Sequence, residues 1–160
     1  MKNPVPLKRH QSLVSFSKDH HFGLLLVWKI RQGLIKPFSR DRITNYVLYI
    51  FREDLEEHFK AEEDLLFCKL PAGDPLRKQA EAEHQEIYDL VAKLTLNNQD
   101  PLLLTQFAET LEKHIRFEER ELFNHLQEKI AAEELEAIAL RMPNENKAID
   151  EKWPDAFWQQ

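Results

Sequence analysis

The chain has 160 residues, 42% of them hydrophobic and 31% charged, with 22 basic against 28 acidic side chains. That is enough chain to bury a core without disulfides, and the composition is that of a globular protein rather than a disordered one. Three glycines argue against a glycine-rich phosphate loop or a turn-rich β-sandwich, the net charge of −6 against a nucleic-acid partner, and the single Cys68 against a disulfide framework or a cysteine-based zinc cluster.

In chain order, Met1 to Gln11 reads as an N-terminal extension without the apolar stretch of a secretory signal. The longest uninterrupted apolar run, Phe22 to Trp28, falls far short of the about 20 residues a membrane span needs. A cytoplasmic protein with no membrane partner is therefore expected. Breaks at Lys36-Pro37-Phe38-Ser39, Leu70-Pro71-Ala72-Gly73-Asp74-Pro75, Asn97-Asn98-Gln99-Asp100-Pro101 and Met142-Pro143-Asn144-Glu145-Asn146 leave four proline-free segments. Each is rich in helix formers and is roughly 23 to 30 residues long, a rod of about 35–45 Å. Ser12, Ser39 and Asp100 stand where N-caps belong, and Pro101 occupies a first helical position, where a missing N–H costs nothing. Short connections between long rods predict an all-α, antiparallel up-down-up-down four-helix bundle over residues 12–130. A short fifth helix is expected over Ala132 to Arg141. It begins a C-terminal region, 131–160, whose Trp153, Phe157 and Trp158 pack back on the bundle.

On a helical wheel the first rod gathers Leu13, Phe16, Leu24, Val27, Ile30 and Leu34 on one side, with Lys18, Lys29 and Gln32 opposite. His20 lies in the apolar sector and His21 at its edge. On the second rod Phe51, Leu55, His58, Glu62, Leu65 and Leu66 share a face by three- and four-residue steps. On the third, Ile87, Val91 and Leu94 follow His84. On the fourth, Phe107, Leu111, His114, Glu118 and Phe123 form one stripe. A lone inward histidine is ordinarily a core residue satisfied by one hydrogen bond. Four of them, one per rod, cannot satisfy one another, because a neutral imidazole has one donor and one acceptor. Converging with two carboxylates, they have the character of metal ligands.

The chain also repeats itself. His58-Phe59-Lys60-Ala61-Glu62-Glu63-Asp64-Leu65-Leu66-Phe67 and His114-Ile115-Arg116-Phe117-Glu118-Glu119-Arg120-Glu121-Leu122-Phe123 both read H-x-x-x-E-E-x-x-L-F. Lys18-Asp19-His20 parallels Ala82-Glu83-His84, which selects His20 over His21 as the matched position. In H-x-x-x-E both side chains leave one face a turn apart, so the imidazole can hold one metal while the carboxylate reaches a second. The set His20, His58, Glu62, His84, His114 and Glu118 then describes a two-metal site with open positions. Mixed imidazole and carboxylate ligation favours iron, with manganese or zinc as alternatives. Glu63 and Glu119 are read either as solvated or as steadying an imidazole N–H, and His21 as steadying a ligand or lining access.

The order H…H-x-x-x-E…H…H-x-x-x-E on four helices resembles the hemerythrin-like, HHE cation-binding family over roughly Ser12 to Lys129. The resemblance implies a non-haem di-iron centre bridged by carboxylates in an antiparallel bundle, reacting with dioxygen, nitric oxide or peroxide. Two positions depart from the oxygen-carrying members. Tyr88 stands where their third helix has a second histidine, which counts against reversible oxygen carriage. Their fourth-helix carboxylate is spaced one residue wider, at Glu119, whereas Glu118 matches the internal repeat. Tyr88 is left as a ligand, a hydrogen-bond donor to a bound molecule, or a packing residue, with the last two favoured because a phenol of pKa about 10 ligates poorly until ionised.

Of the remaining candidates, His10 is expected in solvent, His125 in a surface pair, and Cys68 buried. The leading reading is a binding, sensing or iron-handling protein for a small diatomic molecule rather than an enzyme. A di-iron oxidase of the ferritin-like kind places E-x-x-H on two helices. Here only Glu81-x-x-His84 fits, with Ser17, Leu55 and Leu111 preceding the other histidines. A bundle with no metal, built for structure or interaction, is the third reading.

Overall fold

The computed structural model describes residues 10–37, 39–142 and 152–159. The N-terminal extension up to residue 9, Phe38 in the first break, and the part of the tail over 143–151 lie outside them. The first rod, α1, runs over Gln11–Leu34. Its cap is His10 rather than Ser12: the His10 Nδ1 accepts from the Ser12 N–H at 3.1 Å. A ring nitrogen serves as the acceptor that a serine hydroxyl supplies elsewhere, so His10 is half-buried instead of free in solvent.

The second rod, α2, begins over Arg40–Ile50 behind Ser39, whose hydroxyl bonds Asp41 and not the helix N-terminus. It continues unbroken through a π turn at Phe51–Leu55, an α segment at Glu56–Ala61, and a second π turn at Glu62–Leu66, and it closes in a 3-10 turn at Phe67–Lys69. The third, α3, covers Pro75–Leu96; Asp74 caps it by accepting from the Leu76 and Arg77 N–H groups. The fourth, α4, covers Pro101–Phe117 behind Asp100, a π turn at Glu118–Leu122, and an α segment at Phe123–Lys129. A short α5 occupies Ala132–Arg141.

Each π turn inserts one residue and rotates the face downstream of it. Cys68, which simple α periodicity buries, lies past such a turn and is exposed. The rods touch in cyclic order, α1 on α2, α2 on α3, α3 on α4 and α4 on α1, and no strand occurs among the described residues. The fold is therefore an all-α bundle. No described helix is long and apolar enough to cross a membrane.

The core is two apolar clusters with a polar layer between them. One gathers Leu26, Val27 and Ile30 of α1, Ile43 to Phe59 of α2, Ile87 to Leu94 of α3 and Leu104 to Ile115 of α4. The other gathers Leu13 and Phe16 of α1, Ala61 to Phe67 of α2, Ala80 of α3 and Phe117 to Leu126 of α4. Leu135 and Ile138 of α5 cover the second cluster, and Phe157 of the tail is fully buried in the first. The tail also corrects the wheel. Lys29 falls on the polar side of α1 by periodicity, yet it is buried, because the Trp158 ring sits 4.1 Å from its Nζ. That ammonium donates to the Tyr46 hydroxyl at 3.1 Å. Gly33 marks the tightest approach: a Cβ there would stand 2.8 Å from both Ile43 and the Phe157 ring.

Candidate metal centre

In the layer between the clusters, each rod contributes its predicted histidine. His20, His58, His84 and His114 are at most 7% exposed, and Glu62 and Glu118 are at 0%. The π turns of α2 and α4 begin at Glu62 and Glu118 themselves. Such insertions re-aim side chains and are frequent at functional sites, and here the two matched motifs carry matched insertions.

Every histidine points its Nε2 inward. His20 Nε2 lies 2.8 Å from Glu118 Oε2 and 4.0 Å from Glu62 Oε2. His58 Nε2 lies 3.3 Å from Glu62 Oε1. His84 Nε2 lies 3.3 Å from Glu62 Oε1 and 3.7 Å from Glu118 Oε1. His114 Nε2 lies 2.6 Å from Glu118 Oε1. These separations are short, yet none of the four Nε2 atoms and none of the four carboxylate oxygens has a hydrogen-bond partner. They converge from four helices on common points, the atoms of each group within 4.8 Å of one another. Ligand atoms arrange themselves this way around a cation. They fall into two groups, each compact enough to hold a metal ion: His20, His58, Glu62 and Glu118, and Glu62, His84, His114 and Glu118. The two glutamates belong to both.

The outward nitrogens are all engaged. The Nδ1 of His58 donates to Asp19 at 2.9 Å, that of His84 to Glu63 at 3.1 Å, that of His114 to Glu83 at 2.9 Å and that of His20 to Glu119 at 2.7 Å. Each rod thus hands a carboxylate to the histidine of the next, from α1 round to α4 and back to α1. A carboxylate can only accept, so it fixes a proton on Nδ1 and leaves Nε2 as the nitrogen that faces in. Glu63 and Glu119 stand directly after the inward glutamates; Asp19 and Glu83 stand directly before His20 and His84. Sequence reasoning missed the latter two, although they align in the internal repeat.

Aromatic rings wall the layer. The last residue of each motif repeats its role: Phe67 packs on His84 at 5.4 Å and Phe123 stacks on His20 at 5.2 Å. Phe59 stacks on His84 at 4.3 Å, and Phe16 meets His58 edge-on. The layer draws positive charge. Burial opposes a proton on His20 and His84, yet Glu118 with Glu119, and Glu118 with Glu62 and Glu63, outweigh it and raise the two to about 9 and about 11. Burial works equally against a charged Glu118, and the imidazoles, His114 foremost, still hold it well below the usual carboxylate range.

The other candidates lie outside both groups. His21 is exposed. Tyr88 is half-buried, its ring edge-on to Phe51 and Phe59, and burial with Glu63, Glu56 and Glu62 nearby pushes its phenol up to about 12. His125 pairs with Asp74, the α3 cap, at 2.6 Å.

The model of the hemerythrin HHE cation binding domain matches residues 29–153. The chain belongs to the hemerythrin HHE cation-binding family. The match includes His58, Glu62, His84, His114 and Glu118 but begins after His20, which the geometry brings into the layer. No curated protein and no solved structure matches the chain.

Proposed function

We propose that this HHE chain holds two iron ions, with His20 and His58 on one, His84 and His114 on the other, and Glu62 and Glu118 shared. One observation carries the reading: eight buried ligand-type atoms without hydrogen-bond partners, grouped in two sets that share two carboxylates. So many ionisable groups in one buried layer are costly to keep without a cation to share, which argues against a metal-free structural bundle. The donor set suits iron ahead of manganese or zinc, because imidazole and carboxylate together match its preferences.

A non-haem iron pair supplies reversible redox chemistry and open coordination positions for a small diatomic molecule. Around it, this chain's residues orient the imidazoles through Asp19, Glu63, Glu83 and Glu119 and exclude water with Phe16, Phe59, Phe67 and Phe123. We assign the protein to binding or sensing dioxygen or nitric oxide, or to handling iron, in the cytoplasm. Tyr88, one turn after His84, is assigned a packing or hydrogen-bonding role, supported by its ring contacts with Phe51 and Phe59.

Elemental analysis of chain loaded anaerobically with ferrous iron tests the metal assignment, and optical titration with dioxygen and nitric oxide tests the ligand. Two irons per chain and a ligand-dependent spectrum are expected. A chain that takes up no metal contradicts the reading.

A further inference from the structure

The four outer carboxylates do more than orient imidazoles: they carry charge, and they differ in burial. The Asp19 and Glu83 side chains are 12% and 11% exposed, whereas Glu63 and Glu119 are 35% and 30% exposed. Glu83 is further fixed by the Gln79 amide, which donates to its second oxygen at 3.0 Å. Counting Glu62 and Glu118, six carboxylates face four imidazoles. Each negative charge beside the imidazoles stabilises the more highly charged, oxidised ions over the reduced ones, because the attraction grows with the charge of the ion. At equal distance a charge acts about fourfold more strongly in a partly buried setting than through water, so the buried pair dominates.

We propose that Asp19 and Glu83 bias the centre toward its oxidised state, with Glu63 and Glu119 as weaker contributors. The proposal rests on the iron reading above. Its consequence is functional. A molecule that binds only divalent iron meets a competent fraction that these charges reduce, and its apparent affinity falls by that fraction. Asp19 and Glu83 would then determine which diatomic ligand, at which ambient potential, the protein answers to.

The test is a spectroelectrochemical titration of the iron-loaded full chain, after elemental analysis of each sample. Asp19→Asn and Glu83→Gln keep an oxygen to accept from Nδ1 but remove the charge. Each is expected to favour the reduced form at least tenfold at fixed potential, a positive shift of about 59 mV for a one-electron couple. Glu63→Gln and Glu119→Gln shift it less, and the charge-retaining Asp19→Glu and Glu83→Asp keep the wild-type value. Full iron with unchanged potentials in the two buried amide variants overturns the proposal, as does a larger shift in the exposed pair. Loss of iron from both buried amide variants overturns it too, since the carboxylates would then hold the metal in place instead of setting its charge. A wild-type chain without iron overturns the metal reading itself, and this proposal falls with it.

Discussion

The apolar clusters and the polar layer between them are buried equally well, but by opposite means. In the cluster around Ile43, Val47 and Phe107, every residue is closed by its neighbours and by the tail. In the layer, four imidazoles and two carboxylates are equally dry, and their inward atoms have no hydrogen-bond partner. The clusters contribute stability on their own. On the proposed reading, the layer contributes it through what it binds. Changes in the two regions should therefore separate cleanly into loss of packing and loss of linkage.

The largest separation is expected from the shared carboxylates. Glu62→Ala or Glu118→Ala should remove both metals, because each side chain serves both groups. Thermal unfolding would then lose its dependence on iron, worth about 4 kcal/mol at free metal a thousandfold above Kd. The counterpart in the cluster is Phe157→Ala. Truncating that fully buried ring should cost about 3–5 kcal/mol in chemical denaturation while iron content stays at the wild-type value. Loss of iron from this variant would show that the two regions are not independent.

Two glycines of α1 give a finer comparison. An alanine at either position gains about 1 kcal/mol of helix propensity. At Gly23 the new methyl meets only the tip of Ile115, at 2.7 Å, and a rotamer change relieves it; stability should move by less than about 1 kcal/mol. At Gly33 it meets Ile43 and the rigid Phe157 ring at 2.8 Å. Overpacking there costs about 1–3 kcal/mol, so Gly33→Ala should be net destabilising and should loosen the tail, read out by tryptophan fluorescence.

The smallest effect should come from the pair that ties the tail down. Arg42 donates to both Asp155 oxygens, at 2.8 and 2.5 Å, and through that bond lowers the Asp155 pKa. A lowered carboxyl pKa stabilises the fold above the unfolded value of about 3.9 and ceases to as pH falls through the folded value below it. The pair is partly exposed, so solvent screening keeps its contribution small. Arg42→Ala should slightly flatten the acid limb of a pH–stability curve and leave neutral-pH iron content unchanged.

Much of this was legible in the sequence because two devices agreed. Proline breaks bound the rods, and the internal repeat places His20, His58, Glu62, His84, His114 and Glu118 at equivalent positions. Asp19 and Glu83 stand in the same repeat without a signal of their own. On a helix wheel each sits about 100° from the histidine it precedes and reads as a solvated charge; only the approach of the next rod turns it inward. Periodicity misplaces Cys68 because a π turn leaves no signature in it. It misplaces Lys29 because the element that covers it, the Trp158 tail, lies 129 positions further along the chain. Local periodicity reports which face is apolar; what covers a polar face is a long-range fact.

The most direct test of the paired site is anomalous scattering at the iron edge from crystals of the loaded chain. Two peaks about 3.5–4 Å apart are expected, one beside His20 and His58, the other beside His84 and His114, and both in contact with Glu62 and Glu118. A single peak, or peaks that leave either glutamate uncoordinated, would contradict the paired site.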